Sequence, residues 1–355
     1  MYENSDHTLE CFLWNHTGPV PDNCPDGQRM TSEDKLIGRV RRRFTQTRNR
    51  PRVGIGDDAA ILAASGGTEW VVTTDAFLEN VHFLRHVQPA KSIGYKSLAR
   101  ATSDIAAMGA RARYCFLTLG FPSNCSGHWL DQFLAGMAGG ARKFGLTLAG
   151  GDTTSYPLVI ISLTVIGEVD RGRAILRSGA RPGDLLCVSG RLGEAELGLR
   201  LIQANSNKRG GVSSLLEKHF YPEPRLELGE WLNSRQFATS MIDTSDGLST
   251  DLGHLCKASG VGAIVWASKL PTVSIPPKLQ KRGLNPLQLA LNGGEDYELL
   301  FTVPKRLISQ LPRKLGSLPI TLIGEITRSK KILLKDHQGR IKPLQPGGWD
   351  PFRAV

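Results

Sequence analysis

The sequence predicts an α/β protein of two domains, and three observations support this class. The chain has 355 residues, which at roughly 150 residues per domain corresponds to about two domains. Strand-like apolar runs alternate with helical patterns in both halves of the chain. The chain is 40% hydrophobic and 22% charged, which excludes a wholly disordered, collagen-like or disulfide-scaffold protein.

The composition shifts at Asp170–Arg173, where we place the boundary between the domains. The predicted organisation is a disordered extension over 1–30, an N-terminal domain over 31–170 and a C-terminal domain over 171–355. The extension is polar and lacks the basic and apolar regions of a signal peptide. Met30 directly precedes Thr31 and Ser32, which are good helix caps, so we expect the functional chain to begin near there.

Helices and strands alternate in the N-terminal half. Apolar residues from Ile93 to Met108 recur at helical spacing and predict a helix within Pro89–Gly109. β-Branched residues predict a strand over Glu69–Asp75. By the same criteria we expect helices over 33–44 and Trp129–Gly145, and strands over Arg52–Gly56, Tyr114–Gly120 and Leu158–Gly167.

The C-terminal half also mixes the two kinds of element, with no convincing internal repeat. The predicted strands are Asp184–Gly190, Ser240–Ile242, Val261–Trp266, Leu299–Val303 and Ile320–Ile326. The predicted helices are 193–203, Arg225–Asn233, Leu248–Ser259 and Pro286–Gly293, and a polar loop is predicted over Ala204–Ser213.

Much of the net charge of +11 comes from two basic stretches. Arg39–Arg52 contains seven Arg and no acid, and Lys305–Lys342 contains ten Lys or Arg against two acids. Such runs usually form solvated faces. A nucleic-acid interface at Arg39–Arg52 would need aromatic residues among the arginines, and Phe44 alone is present. We therefore expect no nucleic-acid partner, and the lack of an apolar run of about 18 residues predicts no membrane span.

Six cysteines occur without a CxxC pair or a ligand-like His spacing, at positions 11, 24, 115, 125, 187 and 256. They support neither a zinc site nor a disulfide framework. Cys115 and Cys187 lie in apolar runs and are predicted core residues. This pattern is typical of a protein of the reducing cytoplasm.

Gly54–Ala59 matches the GxGxxA pattern of dinucleotide-binding proteins, but two features argue against that function. Asp57 and Asp58 occupy the turn that would receive the pyrophosphate, and Gly66–Gly67 ends the would-be helix. Two carboxylates repel a phosphate unless a metal stands between them. No Walker A sequence occurs, so a nucleotide would have to be bound by a different kind of site.

Acidic residues at the ends of predicted elements indicate such a nucleotide-binding site. They are Asp57 and Asp58, Asp75, Asp104 among small helical residues, Asp152 after two glycines, and Asp243 with Asp246. Each alone is most simply a turn or cap residue. Mg²⁺ prefers oxygen ligands and is usually held by a few carboxylates together with substrate phosphates. The set as a whole therefore favours several Mg²⁺ ions around a polyphosphate.

Seven motifs carry a specific resemblance to a known family. They are VGIGDDA (53–59), TTDAFLENVHF (73–83), ATSDIAAMG (101–109), GGDTT (150–154), LRSGARPGD (176–184), IDTSDGLS (242–249) and GGEDYEL (293–299). In order and rough spacing they resemble the thiamine-monophosphate kinase family, over about residues 32–352. That family belongs with aminoimidazole-ribonucleotide synthetase and selenophosphate synthetase. The resemblance implies their two-domain fold, with an N-terminal ATP-binding domain, a C-terminal α/β domain and a homodimer joined through the N-terminal sheets.

The resemblance also implies a role for each matching residue. ATP would be the co-substrate, with several Mg²⁺ ions held by Asp58, Thr73, Thr74, Asp75, Asp104, Asp152, Asp243 and Asp246. The implied ATP contacts are Gly151, Asp152, Arg177 and Ser245. The implied contacts with thiamine monophosphate are His82, Glu295 and an aromatic residue of the tail, Trp349 or Phe352.

The implied reaction is in-line transfer of the γ-phosphoryl group of ATP to thiamine monophosphate, the last step of thiamine diphosphate biosynthesis. The acceptor phosphate is already ionised at neutral pH, so we expect neither a general base nor a covalent nucleophile. Two alternatives stay open at this point. One is another ATP-using member of the same superfamily, and the remote one is a basic nucleic-acid-binding protein.

Overall fold

The described chain folds around two β-sheets, each with its own apolar core. The structure is a computed structural model, and it describes residues 32–44, 51–204, 214–275, 280 and 283–352. The predicted extension over 1–30 and residues 205–213 of the predicted loop lie outside these ranges. Among the helices in these ranges, none has the length and apolar character needed to cross a membrane.

The first sheet is formed by five strands of the N-terminal half. In chain order the elements are α1 (Glu33–Arg43), β1 (Ala60–Ala63), β2 (Thr68–Leu78), α2 (Ala90–Ala107), β3 (Arg111–Phe121), α3 (His128–Phe144), β4 (Thr147–Ser155) and β5 (Ile160–Asp170). The strands lie in the order β1-β2-β5-β3-β4. Neighbouring strands are antiparallel except β3 and β4, which are parallel.

Helix α2 covers one face of this sheet, here called the inner face, and α3 packs against α2. Side chains of β5 alternate between buried and partly exposed, as in a strand with one face on the core. The two helices are in close contact at Gly136, where a Cβ would lie 1.8 Å from the Lys91 carbonyl oxygen. The opposite, outer face exposes Tyr114 and Phe116 of β3.

The second sheet is formed by the C-terminal half. Its elements are β6 (Leu185–Ser189), α4 (Glu194–Ala204), α5 (Ser214–Phe220), α6 (Leu226–Arg235), β7 (Ser240–Asp243), α7 (Leu248–Ser259), β8 (Gly262–Trp266), α8 (Pro286–Asn292), β9 (Leu299–Val303), β10 (Lys314–Leu315), β11 (Leu318–Thr327), β12 (Ile332–Lys335) and β13 (Ile341–Pro343). The strand order is β13-β12-β8-β11-β6-β9-β7, with β10 paired to β11. The described pairs are antiparallel except β12 and β8.

A third apolar core joins the two halves. Ala106 and Ala107, at the end of α2, pack with Leu228 and Leu232 of α6 and with Met241 of β7. Helix α2 therefore contacts both sheets, and the polar side chains of its remaining face lie between them. This placement makes α2 the element around which the site is built.

Most predicted elements are confirmed within a few residues at their ends, and the mixed α/β class is confirmed. The strand predicted over Arg52–Gly56 is wrong, because Val53 and Ile55 form only isolated bridges on either side of the flexible Gly54. Cys115 and Cys187 are buried core residues, as predicted. The sequence patterns missed β1, β4, α5, β10, β12 and β13. The division of the chain at residues 170 and 171 stays a prediction.

Candidate active site

Three acidic side chains from distant parts of the chain meet at one point. Asp58 follows the bridged segment before β1, Asp104 lies on α2, and Asp243 ends β7. One carboxylate oxygen of each lies within 4.8 Å of those of the other two. We call these three residues the carboxylate cluster.

Hydroxyl and guanidinium donors hold each member of the carboxylate cluster in place. Thr73 Oγ1 donates to Asp104 Oδ2 at 2.5 Å, and Ser103 Oγ donates to Asp243 Oδ2 at 2.6 Å. Arg177 donates to Asp58 Oδ1 from Nη2 at 2.6 Å and from Nε at 3.0 Å. These contacts leave the second oxygen of Asp58 buried without a hydrogen-bond partner in the described part of the chain.

Burial and neighbouring charges raise the pKa values of Asp104 and Asp243. Burial, and then the charges of Asp243 and Asp58, raises the pKa of Asp104 well above its usual range. Burial, and then the charge of Asp58, raises the pKa of Asp243 to about 7. A cation would relieve this repulsion, and hard oxygen ligands are those that Mg²⁺ prefers. The unpartnered buried oxygen of Asp58 and the donor set together fit a Mg²⁺ site.

Asp246 lies beside this cluster, at the start of α7, and the C-terminal tail is anchored to it. The Trp349 N–H donates to the Asp246 carbonyl oxygen at 3.0 Å, and Trp349 is partly exposed. Asp350 Oδ1 accepts from the Phe352 N–H at 3.0 Å and from the Glu33 N–H at 3.3 Å. Burial, and then the charge of Glu33, raises the pKa of Asp246 to about 7. The tail therefore fastens the start of α1 next to the site.

A second group, the Glu295 cluster, consists of Glu295, Lys96, Arg100 and His219. The fully buried Lys96 Nζ donates to Glu295 Oε2 at 2.7 Å, and His219 Nδ1 lies 3.6 Å from the same oxygen. Arg100 Nη1 lies 3.7 Å from Glu295 Oε1. Burial raises the pKa of Glu295, but the charges of Lys96, His219 and Arg100 outweigh it and lower the pKa to about 2. Glu295 is therefore ionised and already balanced by cations of the protein.

His82 lies at the same end of the site and is neutral. Burial, and then the charge of Arg100, lowers the pKa of His82 to about 4. The Leu78 N–H donates to His82 Nδ1 at 3.0 Å. Because Nδ1 accepts this bond, the ring proton is on Nε2, and His82 presents a donor on its other side.

Side chains of β2 that face α2 connect the two clusters. Thr73, Asp75 and Phe77 alternate along β2 and face α2. Thr73 pairs with Asp104, whereas Asp75 accepts from Arg100 Nε at 3.0 Å and from Nη2 at 3.2 Å. The Arg100 guanidinium carbon also lies 5.2 Å from the centre of the Phe77 ring. One row of side chains thus runs from the carboxylate cluster to the Glu295 cluster.

Three predicted site residues do not join these clusters within one chain. Thr74 follows Thr73 on the strand and therefore points to the outer face, where it accepts from Thr164 Oγ1 at 3.2 Å. Asp152 pairs in register with the exposed Thr118 and also points outward from the edge strand β4. Gly151 allows the close pairing of that strand, since a Cβ there would lie 1.8 Å from a β3 carbonyl oxygen.

The three acids of the GGEDYEL segment have different partners, and only Glu295 belongs to the site. Asp296 accepts from the N–H groups of Gly193 and Ala195 and so caps the start of α4. Glu298 is buried and paired with Arg225. Glu295 has neither of these roles. Its φ is +65°, and its N–H donates to the Ser245 carbonyl oxygen at 2.7 Å. The cap is therefore Asp296, which leaves Glu295 available to the site.

Sequence reasoning missed Lys96, Arg100, Ser103 and His219. The first two precede Asp104 at intervals of four residues on one helix, a spacing that places all three side chains on one face. The apolar residues of this segment predict the helix, and the same period in its charged residues contains the signal for this polar face. His219 carries no such signal, because only the fold brings α5 to Glu295.

This chain is similar to a family model, to curated proteins and to solved structures. The family model "AIR synthase related protein, N-terminal domain" matches residues 56–169. Thiamine-monophosphate kinase of Bacillus subtilis (strain 168) is 37% identical over 310 residues, which cover 85% of this chain and 94% of the relative. The protein of the same name from Escherichia coli (strain K12) is 37% identical over 327 residues, covering 90% and 98%. The structure of AaThiL complexed with AMPPCP and TMP matches with a TM-score of 0.78 and 30% identity, over 90% of this chain and 96% of that one.

The fold and the acidic site define the class, an α/β enzyme with the fold of the AIR synthase related proteins. Within that class, the chain belongs to the thiamine-monophosphate kinase family. The resemblance predicted from the seven motifs is confirmed, as is the fold that it implied. The chain is therefore a kinase.

Proposed function

We propose that this chain transfers the γ-phosphoryl group of ATP to the phosphate of thiamine monophosphate and releases thiamine diphosphate and ADP. The observation that carries this function is the row of side chains joining the carboxylate cluster to the Glu295 cluster. Phosphoryl transfer needs a metal–polyphosphate site and an acceptor site side by side. The related AaThiL structure is a complex with AMPPCP and TMP, which supports the same pair of substrates here.

The carboxylate cluster would hold Mg²⁺, together with Thr73, Asp75 and Asp246 beside it. When bound, Mg²⁺ neutralises charge on the ATP phosphates. Arg177 fixes Asp58 from one side with two N–H groups and keeps a cation next to the phosphates. Ser245, Gly151 and Asp152 stay proposed ATP contacts, and Asp152 and Thr74 stay proposed metal ligands.

At the other end, His82 and Glu295 would contact thiamine monophosphate, with Trp349 or Phe352 of the tail. The His82 Nε2–H is a donor toward the ligand, and Glu295 offers an acceptor whose charge Lys96 already balances. No side chain has to remove a proton, because the attacking phosphate oxygen is already ionised. Catalysis then consists of positioning two anions and offsetting their repulsion.

A homodimer is part of this proposal, with the outer face of the first sheet as its interface. Tyr114 and Phe116 are 44% and 40% exposed on this face, and exposed aromatic patches are typical of interaction surfaces. Thr74 and Asp152 point to the same face and would be covered by the second copy. We also propose a cytoplasmic location, since Cys115, Cys125, Cys187 and Cys256 are free thiols.

The test is transfer of labelled γ-phosphate from ATP to thiamine monophosphate by the purified protein, with thiamine as the control acceptor. We expect labelled thiamine diphosphate, dependent on Mg²⁺, and no comparable transfer to thiamine. Absence of transfer to thiamine monophosphate, with activity on formylglycinamidine ribonucleotide or selenide instead, would overturn the function.

A further inference from the structure

Arg100 lies between the two clusters on the same face of α2. Lys96, Arg100 and Asp104 follow one another at four-residue spacing, with about 6 Å of helix rise per step. Asp104 belongs to the carboxylate cluster, and Lys96 donates to Glu295. Arg100 therefore stands where a phosphoryl group would pass from a nucleotide at the first cluster to an acceptor at the second.

The guanidinium of Arg100 is held in place from two sides. Asp75 accepts from Nε at 3.0 Å and from Nη2 at 3.2 Å. The Phe77 ring lies 5.2 Å from the guanidinium carbon, within the range of a cation–π contact. A cation fixed in this way loses little side-chain entropy when it binds a ligand.

Arg100 still has donor groups that Asp75 does not use. A guanidinium carries five N–H groups in a planar fork, and Asp75 takes one from Nε and one from Nη2. Nη1 lies 3.7 Å from Glu295 Oε1, beyond hydrogen-bond distance. The side chain is 15% exposed, so part of it can meet a ligand in the site. Glu295 itself is satisfied by Lys96 at 2.7 Å.

We propose that Arg100 is a catalytic residue that donates hydrogen bonds to the acceptor phosphate during phosphoryl transfer. This role rests on the proposed function. An oxygen of the acceptor phosphate forms a bond to the γ-phosphorus of ATP, and the bond from that phosphorus to the β,γ-bridging oxygen breaks. ADP leaves with the electron pair, and no proton is transferred. Arg100 offsets the repulsion between the acceptor phosphate and the γ-phosphate and aligns the attacking oxygen.

The competing explanation is that Arg100 only positions Asp75. In that case its removal would weaken Mg²⁺-dependent nucleotide binding, because Asp75 would lose its two hydrogen bonds. A contact with the acceptor phosphate instead affects the preference for thiamine monophosphate over thiamine, which lacks the phosphate. The two explanations therefore differ in which ligand loses affinity.

The test uses the full-length protein and the variants Arg100→Gln and Arg100→Lys. Calorimetry measures binding of MgADP, thiamine monophosphate and thiamine, and steady-state assays give kcat and KM. Arg340→Gln is the matched control, because Arg340 is an exposed arginine paired with Asp336 at 2.8 Å in the C-terminal half. Melting temperatures verify folding, and Arg100→Lys keeps a cation if Arg100→Gln does not fold.

For Arg100→Gln we expect kcat to fall about 10²–10³-fold, the cost of losing one electrostatic stabiliser. The preference for thiamine monophosphate over thiamine should shrink about tenfold, in addition to the loss of MgADP affinity that follows when Asp75 loses its two hydrogen bonds. Arg100→Lys should recover part of kcat, because it keeps the charge without the fork. An unchanged preference, or loss confined to MgADP binding, in the folded variant would overturn the role of Arg100. An inactive wild-type protein would instead overturn the proposed function.

Discussion

The carboxylate cluster and the Glu295 cluster lie at opposite ends of one row of side chains and follow opposite electrostatic plans. In the first, acids face acids, and mutual repulsion with burial raises the pKa values of Asp104 and Asp243. In the second, Lys96 and its neighbours lower the pKa of Glu295 to about 2. In the first cluster Arg177 pairs with Asp58 alone, so we expect a cation from solution to balance the other acids, whereas the second cluster contains its own cations. The difference matches the two tasks that we propose for the site, which are holding metal with polyphosphate and placing the acceptor.

Asp104→Asn tests the carboxylate cluster and should have the largest effect. We expect kcat to fall about 10²–10³-fold, since one charge that holds the metal is lost. In metal-free buffer at pH 8 the free energy of unfolding should rise, because a repelling buried carboxylate is removed. Steady-state kinetics and urea unfolding in chelator check the two effects. The control is Asp336→Asn, which removes an acid outside the site whose partner, Arg340, is exposed. A metal-free Asp104→Asn protein that is less stable than wild type would contradict the account.

Lys96→Met tests the other end and should act in the opposite direction on stability. It leaves the Glu295 carboxylate without its closest cation, and breaking a buried pair costs about 3 kcal/mol at the lower end of the usual range. Chemical unfolding measures this loss. The double variant Lys96→Met with Glu295→Gln removes both charges and should recover most of it. Equal stability of Lys96→Met and wild type would show that Glu295 does not depend on Lys96.

The smallest expected effect is a pH dependence of stabilisation by Mg²⁺. The folded, metal-free pKa values of Asp243 and Asp246 are about 7, above the ordinary 3.8. The folded state therefore binds more protons than the unfolded state between about pH 4 and 7, and the metal-free protein loses stability as the pH rises through that window. Mg²⁺ replaces those protons, so its stabilising effect should be larger at pH 8 than at pH 5.5.

Thermal melts with and without Mg²⁺ at the two pH values measure this difference, which we expect to be about 3 °C in melting temperature. The variant carrying both Asp243→Asn and Asp246→Asn is the control and should show a smaller difference between the two pH values, because it keeps only Asp104 of these three site carboxylates with a raised pKa. A Mg²⁺ effect that is larger at pH 5.5 would contradict the assignment of these residues to the metal.

The sequence predicted the carboxylate cluster better than its surroundings, for a physical reason. Asp58, Asp104 and Asp243 stand at ends of elements or among small residues, and the repetition of this pattern, rather than any single acid, predicted a shared site. The partners of Glu295 have no comparable local signature, since Lys96 lies within a helix and His219 on α5 far along the chain. The alternation of side chains along a strand also decides which predicted residues reach the site. Thr73 and Thr74 are adjacent in sequence but lie on opposite faces of the sheet.

Three of the strands that the sequence patterns missed have no detectable period, for two different reasons. β4 is exposed along its whole length, so it shows no alternation between apolar and polar residues for a period-two pattern to detect. β12 and β13 are four and three residues long, too short to display a period. The strand predicted over Arg52–Gly56 failed for the opposite reason, because its apolar residues alternate with glycines that leave the backbone free to turn.

The hydrogen bond between the Glu33 N–H and Asp350 joins residues 317 positions apart, and it has a consequence for biosynthesis. During translation α1 emerges early, but its anchor and the Trp349 contact with Asp246 are synthesised almost last. The anchoring of α1 beside Asp246 can therefore be completed only after the ribosome has nearly finished the chain. Premature termination shortly before the tail would leave both sheets intact in sequence and still yield a protein whose α1 lacks its anchor beside Asp246.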